Sequence, residues 1–115
     1  MLDINFEFRK GVLFIRLSGT LDRNTVSKLK TEVTDMIKDN GIRNVVFNLS
    51  DLESIDMRGI NNLLLNYELC RNNKGRTLIC GIDNPLVRHR IDNTRLLKYM
   101  METSNELSAL NIINL

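Results

Sequence analysis

Three carboxylates follow the most apolar segment in the middle of the chain: Asp51, Glu53 and Asp56. Paired carboxylates can act as general acid and general base when their surroundings separate their pKa values. A structural role explains the same residues, because Asp56 can cap a helix that begins after it and the other two can be solvated near that helix's positive end. We favour the structural role, and no catalytic residue is predicted.

Nucleophilic and metal chemistry have few residues available. The only histidine, His89, lies between Arg88 and Arg90 in a predicted helix, and the sequence shows no partner acid for it. Cys70 and Cys80 lie in apolar runs without a Cys-x-x-Cys spacing, and no glycine-rich phosphate loop follows a strand. We therefore predict a surface histidine, two buried reduced thiols, no metal and no cofactor.

One basic residue needs a different explanation. Arg58 falls in the first turn of the helix that Asp56 is predicted to cap, where a cation opposes the helix dipole. A salt bridge to Asp56 or Glu53 would compensate, and this is the interpretation that we favour from the sequence. The alternative is that Arg58 contacts an acidic patch on a partner protein.

Hydrophobic periodicity predicts a hairpin and then a helix in the first third of the chain. Leu2 to Phe8 alternates apolar and polar residues, and Arg9-Lys10-Gly11 turns the chain into a second strand, Val12 to Leu17. Helical spacing follows from Asp22, the predicted N-cap, to Gly41, which can adopt the left-handed conformation that ends a helix.

Strands and helices alternate in the middle of the chain. Ile42 to Leu49 is predicted to be a central strand covered on both faces, and Ser50 to Ser54 a polar loop. A second helix begins at Asp56 and ends near Gly75, and Thr77 to Ile82 is another short buried strand.

The remaining residues continue the alternation. Asn84-Pro85 is a cap and first-turn pair for a third helix, Leu97 to Met101 is the last predicted strand, and Ser104 caps a terminal helix. The apolar residues predicted to pack from these helices and from the edge of the second helix include Leu65, Leu86, Val87, Ile91, Leu107 and Leu110. The order predicts an α/β fold with a small mixed sheet, mostly parallel at its centre, and about four helices.

Composition restricts the class of protein. The 115 residues are 43% hydrophobic and 26% charged, which favours one domain over residues 1–115. A net charge of +2 does not indicate nucleic-acid binding, and no apolar stretch is long enough for membrane insertion. The amino terminus lacks the pattern of a secretory signal, so the expected compartment is the cytoplasm.

Three segments resemble the STAS domain family, and within it the bacterial anti-sigma factor antagonists, most closely the sporulation type. They are Leu17-Ser18-Gly19-Thr20-Leu21-Asp22 with Thr25, then Ile42 to Val46 with Asn48-Leu49-Ser50-Asp51-Leu52, and Ile55-Asp56-Met57-Arg58-Gly59-Ile60. The resemblance implies a STAS fold and a binding protein rather than an enzyme. It also implies a partner, an anti-sigma factor that is a serine kinase with a histidine-kinase-like ATPase domain, whose capture releases a sigma factor. A homodimer is left open.

The resemblance also implies a partner-binding site at Asp22, Thr25, Asp56, Met57, Arg58 and Gly59, in which Gly59 permits close backbone approach. The family's phosphorylated serine follows the aspartate of this loop, and here that position is Met57, which cannot accept a phosphoryl group. Two hypotheses follow: an antagonist that is never switched off, or a non-switching STAS scaffold subunit of a signalling or transporter-associated complex. Ser54 and Ser50 are too far along the chain to be expected as substitutes.

Overall fold

A single five-stranded sheet organises the chain, and the computed structural model describes all 115 residues. The strands lie side by side in sequence order: β1 (Leu2–Arg9), β2 (Val12–Leu21), β3 (Val45–Ile55), β4 (Thr77–Cys80) and β5 (Met101–Thr103). β1 and β2 are antiparallel and the other neighbours are parallel. The predicted mixed sheet with a parallel centre is confirmed.

Five helices accompany the sheet, where the sequence predicted about four. They are α1 (residues 26–40, made of Val26–Leu29, a π-helical segment Lys30–Thr34 and Asp35–Asn40), α2 (Met57–Asn72), α3 (Pro85–Asp92), α4 (Leu96–Tyr99) and α5 (Glu106–Ile113). The additional helix is α4, a single turn that precedes β5.

The main core lies between the sheet and helices α1, α2 and α3, and we call this face the helix side. Phe47 on β3 is fully buried in it, together with Leu29 from α1 and Ile60 from α2. A smaller core covers the opposite face, where Val46 of β3 and Ala109 of α5 are fully buried. β3 is therefore buried on both faces, as its near-continuous apolar centre predicted.

Several helix ends are as the sequence predicted. Gly41 ends α1 with φ of 60°, a left-handed conformation that glycine adopts without strain. Asp56 caps α2 by accepting a hydrogen bond from Gly59 N at 3.0 Å. Asn84 caps α3, whose first residue is Pro85.

Two predicted caps are wrong. Asp22 does not cap α1, because its carboxylate accepts from Asn24 N at 2.8 Å in a turn that precedes the helix. Ser104 does not cap α5; the next residue, Asn105, accepts from Ser108 N at 2.8 Å. Several short polar side chains precede each helix, and the path of the backbone selects which of them reaches a free amide.

The predicted strand boundaries also need correction. β3 begins at Val45 rather than Ile42, and it includes the supposed loop Ser50 to Ser54. Leu52 is buried in the main core within this segment, because β3 continues beside β2 through two irregularities of register. The supposed strand Leu97 to Met101 is mostly α4, and β5 starts at its last residue.

Three leucines that were predicted to pack are exposed instead. Leu65, Leu86 and Leu107 lie at the margins of their helices and expose 43%, 73% and 63% of their surface. α5 has only eight residues, so one stripe reaches the sheet, and Ala109 and Leu110 occupy it.

A charged network attaches α5 to the sheet. Glu106, the first residue of α5, accepts two hydrogen bonds from the Arg16 guanidinium at 2.8 Å and one from Asn48 Nδ2 at 2.8 Å. Arg16 also donates to Glu7 on β1 at 2.8 Å. The bonds from Arg16, and then that from Asn48, hold the pKa of Glu106 below its ordinary value.

We expect Glu106→Gln to lower the free energy of unfolding by about 1 to 2 kcal/mol at neutral pH, since a charge-assisted pair becomes a neutral one. The depressed pKa means that this contribution is complete above the unfolded carboxyl pKa of about 4.3 and is lost as the pH falls through the folded value. Urea unfolding at neutral and acid pH should therefore show the difference from wild type shrinking in acid. Glu53→Gln, at an exposed carboxylate without an ion pair, is the control.

Candidate functional site

The six residues predicted for partner binding lie at one end of the sheet. Asp22 and Thr25 belong to the turn between β2 and α1, and residues 56–59 form the start of α2. Both segments follow the carboxyl ends of neighbouring parallel strands, where α/β proteins commonly bind ligands. Asp56 N donates to Leu21 O at 3.1 Å, so the two segments are in direct contact.

Asp56 joins the two segments through its side chain as well. One carboxylate oxygen accepts from Gly59 N at 3.0 Å, and the other accepts from Arg23 N at 3.1 Å. The aspartate is thus both the cap of α2 and a tie to the β2–α1 turn. With both oxygens engaged by backbone amides, Asp56 is not placed as a general acid or base.

Hydroxyl groups fix the shape of the β2–α1 turn. Thr25 Oγ1 donates to Thr20 O at 2.8 Å and accepts from Asp22 N at 2.9 Å. Ser54 Oγ donates to Thr20 Oγ1 at 3.1 Å, which links the turn to β3. The roles of Thr20 and Ser54 were missed from the sequence, since these bonds depend on how β2 and β3 align.

Met57 and Arg58 project from this framework. Met57 exposes 49% of its surface, and Arg58 is exposed without an ion pair. The predicted salt bridge from Arg58 to Asp56 or Glu53 is therefore wrong. Backbone amides occupy both oxygens of the Asp56 carboxylate. Glu53 follows Leu52, which is buried on the helix side, so the Glu53 side chain lies on the face of the sheet opposite to α2.

Gly59 brings α2 close to the ends of the strands. It is buried, and a Cβ at this position would lie 2.8 Å from both Cγ and O of Leu21 and 3.0 Å from Cγ1 of Ile55. The close approach that Gly59 permits is therefore between α2 and the ends of β2 and β3 in the same chain. It positions the exposed Met57 and Arg58 relative to the β2–α1 turn.

An acidic groove of about 320 Å³ adjoins the turn and shares Thr20 with it. Its three carboxylates come from strands β1 and β3, and none of them has an ion-pair partner: Asp3, Asp51 and Glu53. Ser18 pairs with Asp3 on one side and with Asp51 on the other, so strand register creates the groove. Asp3 was missed because its sequence position gives no sign of this register. No three metal-binding side chains converge.

The remaining reactive side chains lie elsewhere. Cys70 and Cys80 are buried and unpaired, and burial raises the pKa of both thiols, that of Cys80 to about 11. The raised pKa values favour the protonated form of both thiols at neutral pH, and their predicted burial is confirmed. His89 is exposed on α3, 3.4 Å from Asn93 Nδ2, and its surface position is confirmed.

Comparison with known proteins identifies the family. The sequence profile of the STAS domain matches residues 3–110, which is nearly the whole sheet and its helices. The chain belongs to the STAS domain family. This STAS domain is 32% identical over 109 residues to an anti-sigma F factor antagonist from Paenibacillus polymyxa, a match that covers 95% of this chain and 92% of that protein.

Solved structures agree with this STAS domain in fold. An anti-sigma factor antagonist from Mycobacterium paratuberculosis superposes with a TM-score of 0.86 at 22% identity, covering 99% of this chain and 95% of that one. The phosphorylated form of the Bacillus cell fate determinant SpoIIAA gives a TM-score of 0.73 at 21% identity, over 96% and 99% of the two chains. None of the helices in this STAS domain combines the length and apolar character needed to span a bilayer.

Proposed function

We propose that this STAS domain is an anti-sigma factor antagonist, a cytoplasmic protein that binds an anti-sigma factor and so releases a sigma factor. The observation that carries the proposal is the face built around Asp56, which ties α2 to the β2–α1 turn and leaves Met57 and Arg58 exposed. The similarity to the P. polymyxa antagonist over 95% of the chain supports the same function.

The chemistry of this face indicates what the partner should present. Arg58 has no acidic partner within the chain, so a carboxylate of the anti-sigma factor would complete an ion pair there. Met57 offers a flexible apolar contact. The unpaired carboxylates of the acidic groove suit basic side chains, which would approach beside the turn rather than at α2.

We propose further that the anti-sigma factor is a serine kinase and that this chain is not switched off by it. The resemblance of residues 55–60 to the family's loop supports Met57 as the counterpart of the phosphorylated serine, and a thioether accepts no phosphoryl group. Ser54 is half-buried and bonded to Thr20, and Ser50 donates to Asn48 Oδ1 at 2.8 Å. Neither serine offers a free hydroxyl at the start of α2, where the acceptor of the family lies.

The function is tested by titrating the chain into a preformed complex of the anti-sigma factor with its sigma factor. We expect the chain to bind the anti-sigma factor and to displace the sigma factor, as measured by size-exclusion chromatography of the mixture. Calorimetry with the anti-sigma factor alone gives the affinity. Absence of binding in calorimetry, with the chain folded, would refute the proposal.

Arg58→Glu is expected to weaken binding to the anti-sigma factor by about 10- to 100-fold, because a new carboxylate would face the partner's acidic group. Arg71→Glu makes the same charge change at an exposed position near the other end of α2 and is the control. Calorimetric titration of both variants separates a local contact from a general effect of charge. Equal affinities for the two variants would exclude the contact at Arg58.

A further inference from the structure

β1 forms one edge of the sheet, and its free edge is open to pairing. Thr20 N donates to Met1 O at 2.8 Å, and the pairing with β2 continues without interruption from Leu2 to Arg9. Because bonding alternates along an antiparallel pair, odd-numbered residues of β1 bond to β2 and even-numbered ones direct their N–H and C=O groups outwards. Lys28 Nζ occupies the outward carbonyl of Leu2 at 2.7 Å. No side chain bonds to the backbone of the outward-facing residues Ile4, Phe6 and Phe8.

The side chains along this edge are unusually apolar for an exposed strand. Leu2 is buried on the helix side of the sheet, yet on the same face Phe6 and Phe8 expose 45% and 62% of their surface. Proteins commonly protect an edge strand with proline, inward charges or a covering segment. β1 has no such protection over Ile4 to Phe8, which is a feature of strands that take up a partner strand.

We propose that β1 pairs antiparallel with β1 of a second copy of this chain, around a two-fold axis at Phe6. Phe6 then lies opposite Phe6 of the other copy, and Ile4 lies opposite Phe8, which covers the exposed aromatic side chains. On the other face Asp3 of each copy lies opposite Arg9 of the other copy, so the two-fold symmetry produces two ion pairs. The outward backbone groups of the even-numbered residues meet their counterparts, and the two sheets become continuous.

The charges select this register over its neighbours. An axis at Asn5 would place Asp3 opposite Glu7, and an axis at Glu7 would place that carboxylate opposite its own copy. Both arrangements set like charges against each other. An axis at Ile4 leaves Arg9 outside the pairing. The axis at Phe6 keeps residues 3–9 paired, and it spares Leu2 O, which Lys28 already occupies.

Sedimentation equilibrium of the full chain alone tests the pairing, independently of any anti-sigma factor. We expect wild type to dimerise with concentration, and Asp3→Arg and Arg9→Asp each to weaken dimerisation at least about 10-fold, because each sets like charges opposite each other. Mixing the two variants restores association, since both pairs between positions 3 and 9 in the heterodimer are then of opposite charge. Both positions are exposed, so the variants should remain folded.

Hydrogen exchange locates the contact. The amides of Ile4, Phe6 and Phe8 should become more protected as the protein concentration rises, while those of β5, the other edge strand, should not change. A chain that is still monomeric at about 1 mM overturns the proposal. So does a dimer whose concentration-dependent protection lies outside β1, or one that mixing the two charge variants fails to restore.

Discussion

Gly59→Ala is expected to lower the free energy of unfolding by about 1 to 3 kcal/mol, as overpacking of a close contact does. Replacing glycine by alanine within a helix normally raises the free energy of unfolding by about 1 kcal/mol. Here the new Cβ would lie 2.8 Å from the carbonyl oxygen of Leu21, which accepts the hydrogen bond from Asp56 N. A backbone atom at that distance cannot be avoided by a side-chain rotation, so the start of α2 must move away from the strand.

The same shift should weaken binding to the anti-sigma factor, because the Asp56 tie to Arg23 N depends on the spacing of the two segments. Urea unfolding measures the stability, and calorimetry on the folded fraction measures the affinity. Arg58→Ala is the control for stability, since it also introduces alanine in the first turn of α2 but at an exposed position. A Gly59→Ala protein as stable as this control would show that the contact with Leu21 relaxes freely.

The sequence predicts what depends on local chemistry. Asp56 and Asn84 could be assigned as caps because the residue type and the following helical pattern suffice. Gly41 could be assigned as a helix end because a left-handed residue is needed there. The parallel centre of the sheet followed from the alternation of strands and helices. Helix ends and the order of strands and helices could therefore be predicted for most of the chain.

What could not be predicted depends on how distant segments align. Ser50 to Ser54 is polar enough for a loop, but β2 provides a partner for its backbone and the core buries Leu52. The acidic groove arises only when Asp3 and Asp51 lie on either side of Ser18. Arg58 could not be recognised as unpaired, because the orientation of the Asp56 carboxylate towards Arg23 N comes from the fold.

Met57→Ser is expected to restore a phosphate switch. The residue is the first of α2 and half-exposed, so a serine there would present its hydroxyl beside the helix's positive end. Phosphorylation would add nearly two negative charges next to Asp56, on the face proposed to bind the anti-sigma factor. With the kinase and ATP, we expect stoichiometric phosphorylation of this variant and an affinity at least about 10-fold lower than that of its unmodified form. Wild type should remain bound.

Intact-mass spectrometry followed by peptide mapping measures the phosphorylation, and calorimetry of the separated forms measures the affinity. Leu65→Ser introduces a serine at another half-exposed apolar position of α2 and should take up no phosphate, because it lies about two helical turns after Met57. Stoichiometric phosphate on Ser54 or Ser50 of wild type would mean that the switch has moved rather than disappeared. A Met57→Ser chain that binds the kinase but takes up no phosphate would contradict this prediction. It would mean that Arg58, or the turn beside it, holds position 57 away from the nucleotide. Loss of the acceptor would then be only part of the change from a switched to a permanent antagonist.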